Sequence, residues 1–309
     1  MKTAFLFSGQ GSHYIGMARE LTETYPKYLD YFYRASQILG FDLRLACYCG
    51  DEVELAKTSV SQPAILMTSI IAYEVAKSRG IAGTAVAGHS LGEYAAMVCS
   101  GMLSFEDGFK VIKARAEAME YCTRIKPGSM AAVIGKTPEE VEKLCTEIDE
   151  FVIPVNYNCP TQTVIAGTDT AIDKAMQKFS EAGIKIVRLN VAGAFHTKLM
   201  QTGAERFLES IRHVKFNPPN CQFFSNLYGG ELTDFDNMPE YLAQHMVSPV
   251  RFTTELEVMA EQGYDSFVEC GPGKTLTSFV KKTLPEATAV NIENMGTLRK
   301  ALEKFGLPD

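Results

Sequence analysis

No stretch of this 309-residue sequence approaches the roughly 20 consecutive apolar residues of a membrane-spanning helix, which argues against a helical span. Paired cysteine spacings are also lacking. Of eight cysteines only Cys47 and Cys49 stand close together, and neither a zinc-type pattern nor a CxxC pair occurs. The thiols are therefore expected to be reduced and mostly buried, with no metal site. Net positive charge is absent too: a formal charge of -7 argues against general nucleic-acid binding, although a local basic patch could receive an acidic protein partner. The N-terminal MKTAFLFSGQGS has one lysine and a short apolar run but no alanine-type cleavage site. It reads as a first strand rather than a secretory signal, and the expected location is the cytoplasm. No repeat, low-complexity tract or linker interrupts the chain.

What is present is ordinary globular composition, with 46% hydrophobic and 22% charged residues. The length suits one large domain, or one domain carrying a smaller insertion. Short β-rich runs alternate with amphipathic stretches, as in α/β folds. Thr3 to Phe7 and Thr84 to Ala87 read as buried strands. A helix is expected from Ser61 to about Arg79, with Pro63 near its start. Ser104 and Asp107 resemble a capping box, Asp replacing Glu, at the head of a helix running towards Cys122. After Gly128 the expected order is strand (130–134), helix from Pro138, strand (152–156), strand (163–166), helix (171–181) and strand (184–188). That βαββαβ order is ferredoxin-like. Thr137, Pro138, Glu139 and Glu140 make a good helix start, since proline needs no amide partner there and acids suit the dipole. A helix after His196, a strand from Ser266 to Glu269, a Gly271-Pro272-Gly273 turn and closing helices complete the pattern. The expected architecture is a large α/β-hydrolase-like domain with a mostly parallel sheet (1–126 and 197–309), interrupted by a small ferredoxin-like α+β domain (127–196).

Gly88-His89-Ser90-Leu91-Gly92 lies between a strand and a helical run, the context of a G-x-S-x-G nucleophile elbow. The bare pattern would arise by chance in roughly one chain of this length in ten, so the flanking strand and helix carry the weight. Its glycines permit the sharp turn, and the following helix offers amides to developing negative charge. A serine hydroxyl needs a base, and the sequence has only five histidines: His13, His89, His196, His213 and His245. His89 would point away from a tight turn, His213 suits a solvated helix end, and His13 lies in a Gly-rich loop. His196 follows a strand where the inserted segment rejoins the main domain, but a lone histidine is more often structural than catalytic. Position alone leaves the base open.

Six segments, Ser8 to Ser12, Gly88 to Tyr94 (GHSLGEY), Asn156 to Pro160, Gly193 to His196, Ser248 to Arg251 and Gly271 to Gly273, resemble the ordered motifs of malonyl-CoA:acyl-carrier-protein transacylases. The resemblance runs nearly end to end. It implies Ser90 as nucleophile, His196 as general base, and the amides of Gln10 and Leu91 as the oxyanion hole beside the substrate. It implies that a main-chain carbonyl at His245, where many relatives have glutamine, orients His196. Arg115, an arginine that base rates would make a solvated surface charge, becomes the clamp for a malonyl carboxylate, matched to its two oxygens by a planar fork. Phe195 corresponds to the malonyl-selective residue, where methylmalonyl-using relatives tend to have serine. The implied partners are malonyl-CoA, as substrate, and an acyl carrier protein. No cofactor, metal, nucleic acid or membrane enters, and the chain is expected to be a monomer. The rival readings are a serine esterase, which usually places an acid between nucleophile and histidine and needs no carboxylate clamp, and a non-catalytic docking protein that retains the fold.

Overall fold

The computed structural model describes residues 1–191 and 193–309, so Ala192, inside the expected insertion, lies outside the described residues. The strands are β1 (Thr3–Phe7), β2 (Ala85–Gly88), β3 (Ser129–Ile134), β4 (Val152–Cys159), β5 (Gln162–Gly167), β6 (Lys185–Arg188), β7 (Gln222–Ser225), β8 (Gly230–Leu232), β9 (Ser266–Cys270) and β10 (Thr288–Ile292). One sheet has the order β10-β9-β1-β2-β7-β8 and is parallel except for β8, which turns back along β7. All residues of β1, β2 and β9 are buried, as expected of central parallel strands covered on both faces. Parallel pairing also places the loops that follow β1, β2, β7 and β9 at one edge, the usual location of sites in such sheets.

The second sheet has the order β4-β5-β3-β6 with antiparallel pairing throughout. Helices Pro138–Thr146 and Asp169–Glu181 pack on it around their own core, which includes Val133, Val141, Ile165, Ile172 and Phe179. Backbone bonds tie the second sheet to a segment outside both sheets. Val250 N–H donates to Val155 O at 2.7 Å, and Tyr157 N–H donates to Val250 O at 2.9 Å. The Ser248 to Arg251 segment is thereby tied to β4.

The cap at Thr137 is a full capping box, as expected. At Ser104 it is half of one: the hydroxyl accepts from Asp107 N–H at 3.0 Å, but the Asp107 carboxylate meets the Ser104 hydroxyl at 2.9 Å rather than its backbone amide. Aspartate is one methylene shorter than the glutamate of the full motif. Two expectations need correction. The helix expected from Ser61 starts earlier and runs Thr58–Ser78, because the Glu120 carboxylate accepts from Ser59 N–H at 2.7 Å and satisfies a first-turn amide. The closing segment is not wholly helical. Edge strand β10, half-buried, separates helices Thr275–Thr283 and Met295–Phe305. All eight cysteines are free and five are buried, as expected, while Cys49 is exposed.

Candidate active site

Ser90 stands at the C-terminal end of β2 with a left-handed φ of 52°, followed by helix Gly92–Cys99. The flanking glycines are required by contact. A Cβ on Gly88 would lie 2.1 Å from the Gly92 carbonyl carbon, and one on Gly92 would lie 2.0 Å from Phe7 O. Strand, turn and helix therefore approach more closely than any side chain allows, which lifts the Ser90 hydroxyl out of the sheet.

His196 reaches Ser90 from the segment that re-enters the larger unit. Its own φ is 62°, and Thr197 behind it caps the short turn Lys198–Met200. Ser90 Oγ and His196 Nε2 are 2.8 Å apart. On the other side of the ring, Nδ1 faces the His245 carbonyl at 3.1 Å and the Ser248 carbonyl at 3.0 Å. Both are acceptors, so Nδ1 carries the proton and Nε2 is left to accept from the serine hydroxyl. Among the described residues no carboxylate occupies that position, unlike a Ser-His-Asp triad. Burial, and next to it the positive charge of Arg115, pulls the His196 pKa down to about 3, so the free imidazole is neutral.

Arg115 lies in helix Phe105–Ile125 and is 1% exposed, the opposite of the solvated arginine that base rates favour. Its Nη2 donates to Ser90 Oγ at 3.2 Å, its guanidinium lies 5.2 Å from the Tyr94 ring centroid, and Nε and Nη1 have no partner among the described residues. A buried cation with free donors facing a nucleophile is built to receive an anionic group.

The elbow amides divide clearly. Ser90 N–H donates to Asn226 Oδ1, Gly92 N–H to His89 O and Glu93 N–H to Ser90 O, whereas neither Leu91 N–H nor Gln10 N–H has an acceptor among the described residues. The Gln10 side chain is held from behind, its Oε1 accepting from Gln62 Nε2 at 3.3 Å.

The remaining histidines separate by environment. His89 turns away from Ser90, as expected, and its Nε2 meets Asn158 Oδ1 at 2.7 Å. His213 is exposed just beyond helix Gln201–Ile211. The His245 side chain is fully buried and neither ring nitrogen is hydrogen-bonded among the described residues; it meets His196 through its carbonyl and through an edge-to-face ring contact at 5.5 Å. Phe195 is 5% exposed and packs in the core, its ring against Gly193. A cleft of about 380 Å³, lined among others by Gln10, His13, His89, Asn156 and Asn158, lies beside the elbow, between the loops after β1 and β2 and the second sheet. Ser248 has a role that the sequence does not reveal, since its contribution is a carbonyl. Asn226, Tyr241 and Glu255, which pack behind the elbow, stand outside every motif.

The acyl transferase domain family matches residues 4–307. The malonyl CoA-acyl carrier protein transacylase of Bacillus subtilis is 35% identical over 306 residues, covering 98% of this chain and 96% of the relative. The chain belongs to the malonyl-CoA:acyl-carrier-protein transacylase family. The solved family member from Clostridium perfringens superposes with a TM-score of 0.93 at 36% identity, covering 99% of this chain and 98% of that one. A malonyl-transacylase solved in complex with its type II polyketide synthase acyl-carrier protein gives 0.93 at 32% identity, covering 98% and 100%. Among the described residues no helix is long and apolar enough to cross a membrane.

Proposed function

We propose that this chain transfers malonyl from coenzyme A to the phosphopantetheine thiol of an acyl carrier protein through a malonyl-Ser90 intermediate. The observation that carries the reading is the buried guanidinium of Arg115 beside a Ser90–His196 pair that lacks an acidic third member. An esterase has no need of that cation. In the first half-reaction His196 Nε2 takes the Ser90 proton as Oγ attacks the thioester carbonyl. The Gln10 and Leu91 amides hold the oxyanion while Arg115 holds the malonyl carboxylate. The C–S bond then breaks, and the coenzyme A thiolate leaves with the proton from His196. In the second half-reaction the carrier thiol gives its proton to His196 and attacks the malonyl-Ser90 ester; the C–O bond breaks, Ser90 Oγ regains the proton from His196, and malonyl leaves on the carrier thiol, so the kinetics are ping-pong. No metal or redox cofactor takes part, and Phe195 limits the space beside the acyl group.

The thiol-bearing arm enters by the cleft between the two units. We read those units as a discontinuous hydrolase-like domain (1–126 and 197–309) and a ferredoxin-like insertion (127–196), a reading supported by the βαββαβ order and the β4-β5-β3-β6 sheet. The protein works as a monomer in the cytoplasm. Incubation with radiolabelled malonyl-CoA and peptide mapping tests the mechanism. Label should appear on Ser90 and chase onto holo carrier protein; a stable label on another residue, or release of free malonate regardless of carrier, overturns it.

A further inference from the structure

Asn226 follows β7, the neighbour of β2, so its side chain reaches across to the elbow at the end of that strand. It is fully buried and every polar group it carries is engaged. Oδ1 accepts from Ser90 N–H at 2.6 Å; Nδ2 donates to Gly88 O at 2.7 Å and to Glu255 Oε2 at 2.7 Å. Its backbone N–H donates to Glu93 Oε1 at 2.6 Å, and its carbonyl accepts from Arg251 N–H at 3.0 Å. The amide orientation follows from chemistry, because the Ser90 N–H can only donate and the Gly88 carbonyl can only accept. One side chain thus bridges the residue before the turn to the nucleophile itself.

We propose that Asn226 is the positioning residue of the nucleophile, its carboxamide clamping Gly88 O and Ser90 N–H so that the left-handed Ser90 keeps Oγ aimed at His196. The inference rests on the reading of Ser90 as nucleophile. A non-glycine residue at positive φ returns to commoner backbone regions unless its surroundings hold it there, and here the clamp supplies part of that hold. Glu93 anchors the backbone of the same asparagine, and its other oxygen accepts from Tyr241 Oη at 2.8 Å, so the clamp is itself braced. No smaller residue spans both contacts, and ionised aspartate has no donor for Gly88 O or Glu255.

The test measures acylation of Ser90 by malonyl-CoA in single turnover, per folded molecule, in wild type, Asn226→Ala and Asn226→Asp. Asn226→Ala should acylate at least about thirtyfold more slowly, with the malonyl-CoA KM within about threefold, because only the geometry of attack is lost. Asn226→Asp keeps the shape. Protonated, it can donate to Gly88 O and accept from Ser90 N–H; ionised, it cannot donate. It would lie against the Glu255 carboxylate, with Glu93 on its backbone N–H and Tyr241, His245 and Arg115 grouped around Glu93. Its rate relative to wild type should therefore fall as pH rises from about 5.5 to about 8.5. A residue that served folding alone would leave that ratio flat. Wild-type rates per folded molecule in either variant, or a pH-independent ratio for Asn226→Asp, overturn the inference. If Asn226→Ala does not fold, the aspartate profile decides. Failure of the wild type to label at Ser90 would instead strike the proposed function.

Discussion

Ser90 and His196 meet through a 2.8 Å Oγ–Nε2 hydrogen bond, and both hold left-handed backbone, with φ of 52° and 62°. Among the described residues only one other non-glycine, Ala18, shares that conformation. Each such residue costs on the order of 1–3 kcal/mol and persists only where its surroundings over-determine it. At Ser90 the constraint comes from the elbow glycines and Asn226, at His196 from two backbone carbonyls and the turn behind it.

The elbow should tolerate no side chain at its second glycine. A Cβ on Gly92 would overlap the backbone carbonyl of Phe7 in the central strand, and main chain cannot swing aside as a side-chain tip can. Gly92→Ala is expected to cost about 3 kcal/mol or to leave the protein insoluble, the upper end for overpacking. The midpoint of urea unfolding checks it; a midpoint unchanged from wild type would show that β1 and the elbow can separate freely.

His245→Gln should keep malonyl transfer within about tenfold of wild type, or about 1.4 kcal/mol. The bond to His196 comes from the His245 carbonyl and is shared with Ser248 O, while the imidazole has no hydrogen-bond partner among the described residues and makes only ring contacts, stacked on Tyr241 at 6.2 Å and edge-on to His196 at 5.5 Å. kcat/KM for malonyl-CoA measures the effect. A loss as deep as that of His196→Ala, with circular dichroism unchanged, would make the imidazole part of the reaction.

The main strands are legible as apolar runs and Ser90 as a glycine-bounded serine between strand and helix, whereas His196 and Arg115, which the structure brings to the Ser90 hydroxyl, carry no decisive local mark and are singled out only by the family resemblance. Strand β10 was not, since its Thr-Ala-Val-Asn-Ile run is short and lies at a half-buried edge, between segments with helical periodicity. Between Arg19 and Ala56 the N-caps Asp42 and Asp51 and the closing Gly40 punctuate the chain, but three of the four α-helices span only five to seven residues, too few for a helical period to stand out. At the site, contributions made through backbone, such as Ser248 O, have no side-chain signature. Asn226 acts through a contact 136 residues distant in sequence, which nothing near it announces.

The low pKa of His196 couples base strength to substrate. Burial is its main cause and the Arg115 charge the next. On the proposed mechanism a malonyl carboxylate paired with Arg115 would offset that second effect, and the imidazole should become a stronger base as the thioester arrives. In the free enzyme the His196 ring should stay neutral well below its ordinary value of 6.5. Because the unfolded chain then binds the extra proton, His196 contributes stability that is intact above about pH 6.5 and lost as pH falls towards about 3. Titration of the ring by NMR should show Arg115→Ala moving its pKa upward. A downward shift, or none, would remove Arg115 from the control of the base.

Selectivity should rest on the same guanidinium. A malonyl carboxylate beside Ser90 without a cation would be strongly disfavoured by desolvation, whereas acetyl carries no charge to bury. Arg115→Ala is expected to cut malonyl transfer by at least about a hundredfold, or roughly 3 kcal/mol, while acetyl transfer falls little or rises. Arg115→Lys should recover only part of the loss, because an ammonium restores charge without the two-point grip that aims the carbonyl at Ser90. The measurement is kcat/KM for malonyl-CoA and acetyl-CoA with one carrier protein in all three proteins. Equal slowing of both substrates by Arg115→Ala would make Arg115 a structural residue, its 3.2 Å bond to Ser90 Oγ merely a brace for the nucleophile, and would leave malonyl without its main physical support as the substrate.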